Sequence, residues 1–254
     1  MEDNTPKVKS LAKAMEVLAC FTKDKPVWGI TEMAEHFGVT KSNIHNIVST
    51  FCAMGYLKRL PDGRYTLGLK MLEYAFIINQ NLGYPRAVYD ILMETSQQVG
   101  EIVYFGIPYG TKVLYLYVVH PTDRMNVRPY RDILGETAYF YCTGIGKAML
   151  AAMPEEEWRE RIGNERPQYQ PNTLTDVDEI CKELRLTRSR GYAIDNSERD
   201  PNVRCVGVPV FSAVGKLVAG ISVSGPAVTM TDRKLLECAG ILQNAALKMR
   251  SRIY

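Results

Sequence analysis

The stretch "TEMAEHFGVTKSNIHNIV", residues 31–48, contains two helical patterns separated by a glycine. In the first pattern, Met33 and Phe37 lie on the same helical face, and Thr31 is the expected N-cap. Gly38 can adopt a positive φ without steric cost, so it ends this helix and lets the chain turn sharply. The stretch therefore predicts two short helices that meet at a corner.

The helix after this corner has an apolar face and a polar face. Its apolar stripe is Ile44, Ile47, Val48 and Phe51, which recur with helical spacing. The polar side chains suit the major groove of DNA, since Asn pairs with adenine, Lys reaches guanine or phosphate, and Ser and Thr bond to either. A helix-turn-helix and an ordinary helical hairpin with a solvated face both have this pattern. The predicted DNA-contacting residues of the segment are Thr40, Lys41, Ser42, Asn43, His45, Asn46 and Thr50.

A predicted β-hairpin follows in "GYLKRLPDGRYTLG", residues 55–68, where a Pro-Asp-Gly turn separates two strand-like runs. Residues 38–68 carry four Lys or Arg against one Asp, and this local charge of +3 equals the net charge of the whole chain. A basic hairpin beside a helix-turn-helix is typical of a wing that contacts phosphate. Lys58, Arg59 and Arg64 are the predicted wing contacts.

Residues 69–83 read as a helix with apolar side chains on more than one side. Such a helix is either buried within its own domain or paired with a second copy of the chain. We favour pairing, because a single winged helix contacts only one half-site. The predicted organisation is a DNA-binding domain over residues 1–68, a linker and dimerisation helix over 69–83, and a third domain over 84–254.

Hairpin-linked strands and helices alternate after residue 84, which predicts an α+β domain with a largely antiparallel sheet. Tyr115 and Tyr117 alternate along one predicted strand and are expected to share a face. The predicted helices are 86–99, 146–152, 176–190 and 232–250, and the predicted strands are 102–107, 112–119, 206–211 and 217–223.

The remaining composition argues against several classes of protein. The three histidines, His36, His45 and His120, have no metal-ligand spacing and lie in no nucleophile motif. The six cysteines form no C-x-x-C pair, which favours reduced thiols. No apolar run is long enough to cross a bilayer. We therefore expect a cytoplasmic protein with no membrane partner, no cofactor, no metal and no catalytic activity.

Four ordered blocks of the sequence, together with the "DGRYTLG" wing, resemble the IclR family of bacterial transcription regulators over nearly the full chain. The first block is the Gly-Lys-Ala-x-Leu-Ala pattern that ends at Ala151, and the others are "RSRGYAIDNSE" at 188–198, "VRCVGVPVF" at 203–211 and "GKLVAGISVSGP" at 215–226. This resemblance implies a dimer or tetramer of winged-helix subunits, each joined by a linker helix to a GAF-like domain that binds a small effector.

The resemblance also implies an effector site. Two serines on one strand face and the free N–H groups at the start of a helix would hold a carboxylate from two sides. Asp195 would repel that carboxylate, so we expect it to accept hydroxyl hydrogens at the other end of a hydroxy or sugar acid. Each residue also has a simpler structural explanation, as core, cap or backbone partner. The implied effector-binding residues are Thr143, Gly144, Asp195, Cys205, Ser222 and Ser224, with Tyr141 added from the aromatic run beside them.

Two positions depart from the pattern of the family. Tyr139-Phe140-Tyr141 stands where the family commonly has Pro-Leu and a polar residue, and Asn202 replaces a usual Gly. The aromatic run either narrows the pocket or adds a stacking surface to it. The predicted function is a ligand-responsive, DNA-binding repressor of a catabolic operon that senses a small organic acid. The alternative is a small-molecule-binding or protein-interaction module that does not bind DNA.

Overall fold

The computed structural model describes residues 6–82, 84–121 and 135–253 of the chain. Contacts divide the chain into two compact units, Met1–Gly83 and Tyr84–Tyr254. Gly83, the last residue of the predicted linker, lies outside the described residues, as do the outermost residues of the first and third predicted domains.

The N-terminal unit is a winged helix-turn-helix, as predicted. A small buried cluster that includes Met33, Ile44 and Val48 holds its helices together. Trp28 and Tyr65 exchange backbone hydrogen bonds of 3.0 and 2.8 Å, which fasten the wing to the segment before the second helix. The elements are α1 (Lys9–Ala19), α2 (Ile30–His36), α3 (Lys41–Ala53), β1 (Leu57–Arg59), β2 (Tyr65–Leu67) and α4 (Lys70–Leu82).

The corner between α2 and α3 has the conformation that its residues predict. Gly38 has a φ of +61°, and the hydroxyl oxygen of Thr40 caps α3 by accepting a hydrogen bond from the Asn43 backbone N–H. The expectation that Thr31 caps α2 is wrong. The N-cap lies two residues earlier, at Gly29, whose N–H donates to the Glu32 carboxylate at 3.2 Å. The side chain that accepts a hydrogen bond from the backbone at the start of α2 is thus that of Glu32, a residue within the helix.

The C-terminal unit is built on a six-stranded antiparallel sheet with the strand order β5-β4-β3-β8-β7-β6. This arrangement confirms the predicted α+β, GAF-like class. None of the helices within the described ranges has the length and apolar composition needed to cross a bilayer. The elements are α5 (Tyr84–Val99), β3 (Ile102–Tyr109), β4 (Lys112–Val119), β5 (Thr137–Tyr139), α6 (Gly144–Ala152), α7 (Glu155–Ile162), α8 (Val177–Arg190), β6 (Ala193–Asn196), β7 (Val203–Phe211), β8 (Leu217–Pro226) and α9 (Asp232–Arg250).

Helices cover both faces of this sheet. α5 and α9 pack on the face to which Val103 and Phe105 point, and α6, α7 and α8 pack on the face to which Ile102 and Tyr104 point. This alternation along β3 is what a strand buried on both sides requires. The predicted effector residues lie on the second face, beneath α6.

Three sequence expectations fail in this unit. Tyr115 and Tyr117 do not share a face, because a β-bulge in the β3–β4 pairing inserts Leu116 and reverses the alternation. Tyr115 packs with Tyr104 beneath α6, whereas Tyr117 packs with Phe105 on the other side. The short elements β5 and α7 were not predicted, and Asp195 lies within β6.

Candidate functional site

The polar face of α3 is open to solvent in the N-terminal unit. Ile44 and Val48 are fully buried, so the helix is held by its apolar stripe and its opposite face has no packing role. All the predicted DNA contacts on this helix and on the wing are exposed: Thr40, Lys41, Ser42, Asn43, His45, Asn46, Thr50, Lys58, Arg59 and Arg64.

Some of these side chains already have local partners. The Thr50 hydroxyl donates to the Asn46 carbonyl oxygen at 2.8 Å, which leaves its own oxygen free to accept. Arg64 donates from Nε to the Asp62 carboxylate at 2.8 Å and forms an ion pair with it at the wing tip. The guanidinium holds the pKa of the exposed Asp62 carboxyl below its usual value, with a backbone hydrogen bond as the second cause. Part of the positive charge of the wing is therefore neutralised in the free protein.

The predicted effector residues converge in the C-terminal unit. Six of the seven line one cavity of about 280 Å³ between the sheet and the start of α6: Thr143, Gly144, Asp195, Cys205, Ser222 and Ser224. Tyr141 is not among the lining residues that the structure describes. Its side chain is buried, and its hydroxyl donates to the Pro167 carbonyl oxygen at 2.6 Å. The side chains of the aromatic run thus pack within the unit and add no stacking surface to the cavity.

The strand register explains why these residues meet. Asp195 on β6 pairs with Cys205 on β7, which pairs in turn with Ser224 on β8. Paired residues of neighbouring strands point to the same face, so three polar side chains form a row across the sheet. The Ser224 hydroxyl donates to the Cys205 sulfur at 2.9 Å. Burial, followed by the Asp195 charge, raises the pKa of the Cys205 thiol well above its usual value, which disfavours the thiolate form that a nucleophile requires.

The first turn of α6 lies directly on the sheet. Gly207 of β7 makes this approach possible, because a Cβ there would meet the carbonyl oxygen of Gly144 at 2.5 Å. Thr143 caps the helix by accepting a hydrogen bond from the Gly146 N–H at 3.1 Å. The first N–H groups of a helix have no partners within it and favour an anion. The start of α6 therefore places helix N-terminal residues, Thr143 and Gly144, at the cavity wall.

Sequence reasoning missed several residues of the cavity wall, among them Tyr104, Ile145, Arg199 and Asp200. Tyr104 and Ile145 have the appearance of core residues in the sequence. Strand pairing with Ser222 places Tyr104 beside the cavity, and the packing of α6 on the sheet places Ile145 there. Arg199 lies in the turn after β6 and carries a charge that no spacing pattern distinguishes from a surface charge. Arg199 makes no ion pair with another described residue. The residue is half-buried and lines the cavity wall.

A larger groove of about 500 Å³ lies elsewhere in the same unit, between α6, α8, α9 and β7. Its lining is mainly apolar, and none of the predicted effector residues belongs to it. The smaller cavity fits effector binding better, because specific sites for small ligands combine apolar walls with a few convergent polar groups.

A winged helix-turn-helix with a bare polar face, followed in the same chain by a domain with a polar cavity, defines the class of small-molecule-responsive transcription regulators. The chain belongs to the IclR family of bacterial transcriptional regulators. Residues 82–251 match the family domain described as "Bacterial transcriptional regulator IclR C-terminal", and residues 10–61 match the "IclR helix-turn-helix domain". This family consists of DNA-binding regulators and not of enzymes.

Full-length relatives agree with this assignment. The chain is 28% identical over 249 residues to the HTH-type transcriptional regulator KdgR of Escherichia coli, covering 97% of this chain and 93% of KdgR. It is 25% identical over 248 residues to the transcriptional repressor IclR of the same organism, covering 95% and 89%. Its fold is similar to that of an IclR homologue from Microbacterium hydrocarbonoxydans complexed with 4-hydroxybenzoate, with a TM-score of 0.77, 21% identity, and 95% and 97% coverage.

Proposed function

We propose that this protein is a repressor of a catabolic operon that binds operator DNA as a dimer or tetramer and responds to a small organic acid. The observation that carries the DNA-binding part is the polar face of α3, which is exposed over its whole length beside a basic wing. In this proposal, Asn43, Asn46 and Lys41 reach base edges in the major groove, while Arg59 and Arg64 contact phosphate.

The DNA-binding part is tested by selecting bound sequences from a random duplex pool and measuring affinity at several salt concentrations. Replacing Asn46 with Ala should change which bases are enriched, since it removes a base-reading amide. Replacing Arg59 with Ala should instead weaken binding to all duplexes alike and reduce the slope of log affinity against log salt by about one.

A matched control for the charge is Lys182→Ala, which removes an exposed cation on α8 of the C-terminal unit. This variant should keep the wild-type affinity and salt slope. Wild-type protein that enriches no sequence and binds duplex without salt dependence would refute DNA binding and favour a module that binds only small molecules or proteins.

Self-association is supported by the apolar surface of α4. Leu69, Leu72, Phe76 and Ile78 are 78, 65, 64 and 59% exposed within the N-terminal unit. Exposed apolar side chains in this number along one segment are typical of a protein interface. Pairing of two copies along α4 would present two winged helices to two half-sites, which a symmetric operator requires.

Light scattering tests the pairing. The double variant Leu72→Glu/Phe76→Glu places charges on the α4 surface and should lower the measured mass toward that of one subunit. Val214→Glu changes a side chain that is 85% exposed in the β7–β8 turn and should leave the mass unchanged. A wild-type protein that has the mass of a monomer at micromolar concentration would rule out pairing through α4.

The cavity beneath α6 supports a small carboxylate as effector. Thr143 and Gly144 at the start of α6 and the two serines line the cavity, and its volume of about 280 Å³ admits a small organic acid. The similar fold with 4-hydroxybenzoate indicates that an organic acid fits this fold. Hydroxy acids and sugar acids combine the carboxylate with the hydroxyl groups that the other polar side chains would bond.

A thermal-shift panel of L-lactate, D-gluconate and 4-hydroxybenzoate tests the effector class, since a ligand that binds only the folded state raises the melting temperature. Effector binding then changes the affinity for duplex DNA by shifting the placement of the paired winged helices. Duplex affinity that is equal with and without a bound panel member would refute the coupling.

A reporter gene behind the selected operator should be expressed more strongly when the protein is deleted. Lower expression after deletion would make the protein an activator.

A further inference from the structure

The larger groove of the C-terminal unit lies where the edge of the sheet is open. β6 pairs with β7 only as far as Gly207, and no strand within the described residues covers that edge of β7 from Val208 to Phe211. The groove of about 500 Å³ lies along this edge, and α6, α8 and α9 form its other sides. It shares no described lining residue with the effector cavity. We call it the edge groove.

The edge groove is better suited to a small molecule than to another strand. An open sheet edge attracts a strand when it presents an unbroken row of N–H and C=O groups. Pro209 lies in the middle of this edge and has no backbone N–H to donate. The volume of the groove falls within the range of about 300–1,000 Å³ that is usual for small-ligand sites. Its walls are mainly alanine and larger apolar side chains, among them Phe211 and Leu247.

The charged side chains of the edge groove are all positive. Arg188 and Arg250 line it, and no Asp or Glu is among the described lining residues. Arg188 is already engaged, because its guanidinium donates to the Ala151 carbonyl oxygen at 2.7 Å and lies over the Trp158 ring, 4.6 Å from its centroid. Arg250 is exposed and has no hydrogen-bond or ion-pair partner among the described residues. Its guanidinium is therefore available to an anion.

The helix ends around the edge groove do not cancel this charge. The C-terminus of a helix disfavours an anion, and the groove is lined by the last turns of α6, α8 and α9. The Arg188 guanidinium donates to the carbonyl oxygens of Ala151 and Met153 and so offsets the end of α6. Basic side chains lie in the last turns of α8 and α9. A carboxylate beside Arg250 is thus favoured.

We propose that the edge groove binds a hydrophobic monocarboxylate, such as a medium-chain fatty acid or an arylalkanoic acid. The apolar tail contacts walls that include Phe211 and Leu247, and the carboxylate pairs with Arg250. This is a second ligand site, and its ligand differs from the hydrophilic acids proposed for the effector cavity. The inference goes beyond the proposed function, and either of the two can fail alone.

Calorimetric titration of the full-length protein with octanoate and with phenylbutyrate at neutral pH tests this inference. We expect each acid to bind at a single saturable site per subunit. The compounds 1-octanol and octylammonium have the same tail as octanoate but lack its negative charge. They should bind at least about tenfold more weakly, because the alcohol forms no ion pair with the guanidinium and the ammonium is repelled by it.

Two matched pairs of variants on α9 locate the site. Arg250→Gln should weaken octanoate binding about tenfold and leave 1-octanol binding unchanged, whereas Arg233→Gln, outside the described lining, should bind octanoate as wild type does. Leu247→Asp should weaken octanoate binding about ten- to a hundredfold, because it removes an apolar contact and adds a like charge. Leu236→Asp is its control, since the two leucines are 63 and 60% exposed and only Leu247 is among the lining residues described.

Several outcomes would overturn the inference. They are failure of both acids to bind, equal affinity for octanoate and 1-octanol, and an Arg250→Gln variant with wild-type affinity for octanoate. Loss of octanoate binding in Ser224→Ala would assign the ligand to the effector cavity instead. A lower mass in light scattering for Leu247→Asp but not for Leu236→Asp would mean that a second copy of the chain covers the groove. None of these results decides whether gluconate binds, so the proposed effector class is tested separately.

Discussion

Replacing Gly207 with Ala tests the contact on which the effector cavity depends. A methyl group at this position would meet the carbonyl carbon and oxygen of Gly144 at 2.5 Å and the Ile145 nitrogen at 2.7 Å. These are backbone atoms of the first turn of α6, so no side chain can rotate away and the helix start must move off the sheet. Overpacking of this kind costs about 1–3 kcal/mol.

This cost converts to a measurable change in the melting temperature. For a domain of this size, each kcal/mol lowers the melting temperature by about 2–4 °C, so the Gly207→Ala variant should melt about 2–12 °C below wild type. The same displacement moves the N–H groups of α6 that face the cavity. We therefore expect weaker binding of D-gluconate, measured by calorimetry on the variant at a temperature where it is folded.

Gly240→Ala is the matched control. Gly240 lies within α9, and a Cβ there would have no other group within 4 Å. Alanine in a helix interior is more stable than glycine by about 0.5–1 kcal/mol, so this variant should melt slightly above wild type and bind gluconate normally. A Gly207→Ala variant with the melting temperature and gluconate affinity of wild type would refute the close approach of α6 to β7.

Three further predictions concern charged groups. Lys147→Met should destabilise the protein by about 3–5 kcal/mol in urea denaturation, because it leaves the buried Glu198 carboxylate without its ion pair, and Lys147→Met/Glu198→Gln should recover most of that loss. An acid whose pKa is raised in the folded state binds more protons folded than unfolded, so it lowers stability as pH rises from about 4 to about 7. Asp195→Asn should accordingly gain up to about 4 kcal/mol over wild type at pH 8 and much less near pH 4, and an equal difference at both pH values would contradict the raised pKa. Asp62→Asn should free the Arg64 guanidinium and raise duplex affinity with a steeper salt slope, and an unchanged slope would mean that Arg64 does not contact phosphate.

Local patterns were sufficient to predict most of the fold. The limits of α9 follow from an amphipathic repeat that begins after the Thr231 cap, and β4 follows from a run of β-branched and aromatic residues. The helix-turn-helix was readable because Gly38 and Thr40 each act within four residues of their own position. Interactions of such short range are visible in a single sequence.

The missed elements have physical reasons of their own. α7 has only Trp158 and Ile162 buried among eight mainly charged residues, so no apolar stripe marks it as a helix. β5 is three residues long and gains its structure from pairing with β4. The bulge at Leu116 depends on how β4 pairs with β3, and no sequence pattern within β4 predicts it.

The residues of the candidate site were predictable only in the sequence blocks that resemble the IclR family. Asp195, Cys205 and Ser224 become a row through strand pairing, a long-range event that spacing along the chain does not encode. Arg199 was missed because its significance comes from facing a cavity with two acids and no other described cation. The charge balance of a site exists only after the fold has brought its members together.

The arrangement of buried charges suggests how a ligand in the cavity acts on the rest of the C-terminal unit. In the proposed site, a carboxylate bound at the start of α6 would contact the first turn of that helix. Another part of the ligand would lie beside Asp195, whose Oδ1 accepts from the Glu198 backbone N–H, and Glu198 holds Lys147 on the next turn of the same helix. Every residue of α6 from Gly144 to Ala151 is buried, so the helix cannot shift without moving its neighbours. Both ends of a bound effector therefore bear on one rigid helix, and breaking the Lys147–Glu198 link should reduce the effect of gluconate on DNA affinity more than it reduces gluconate binding.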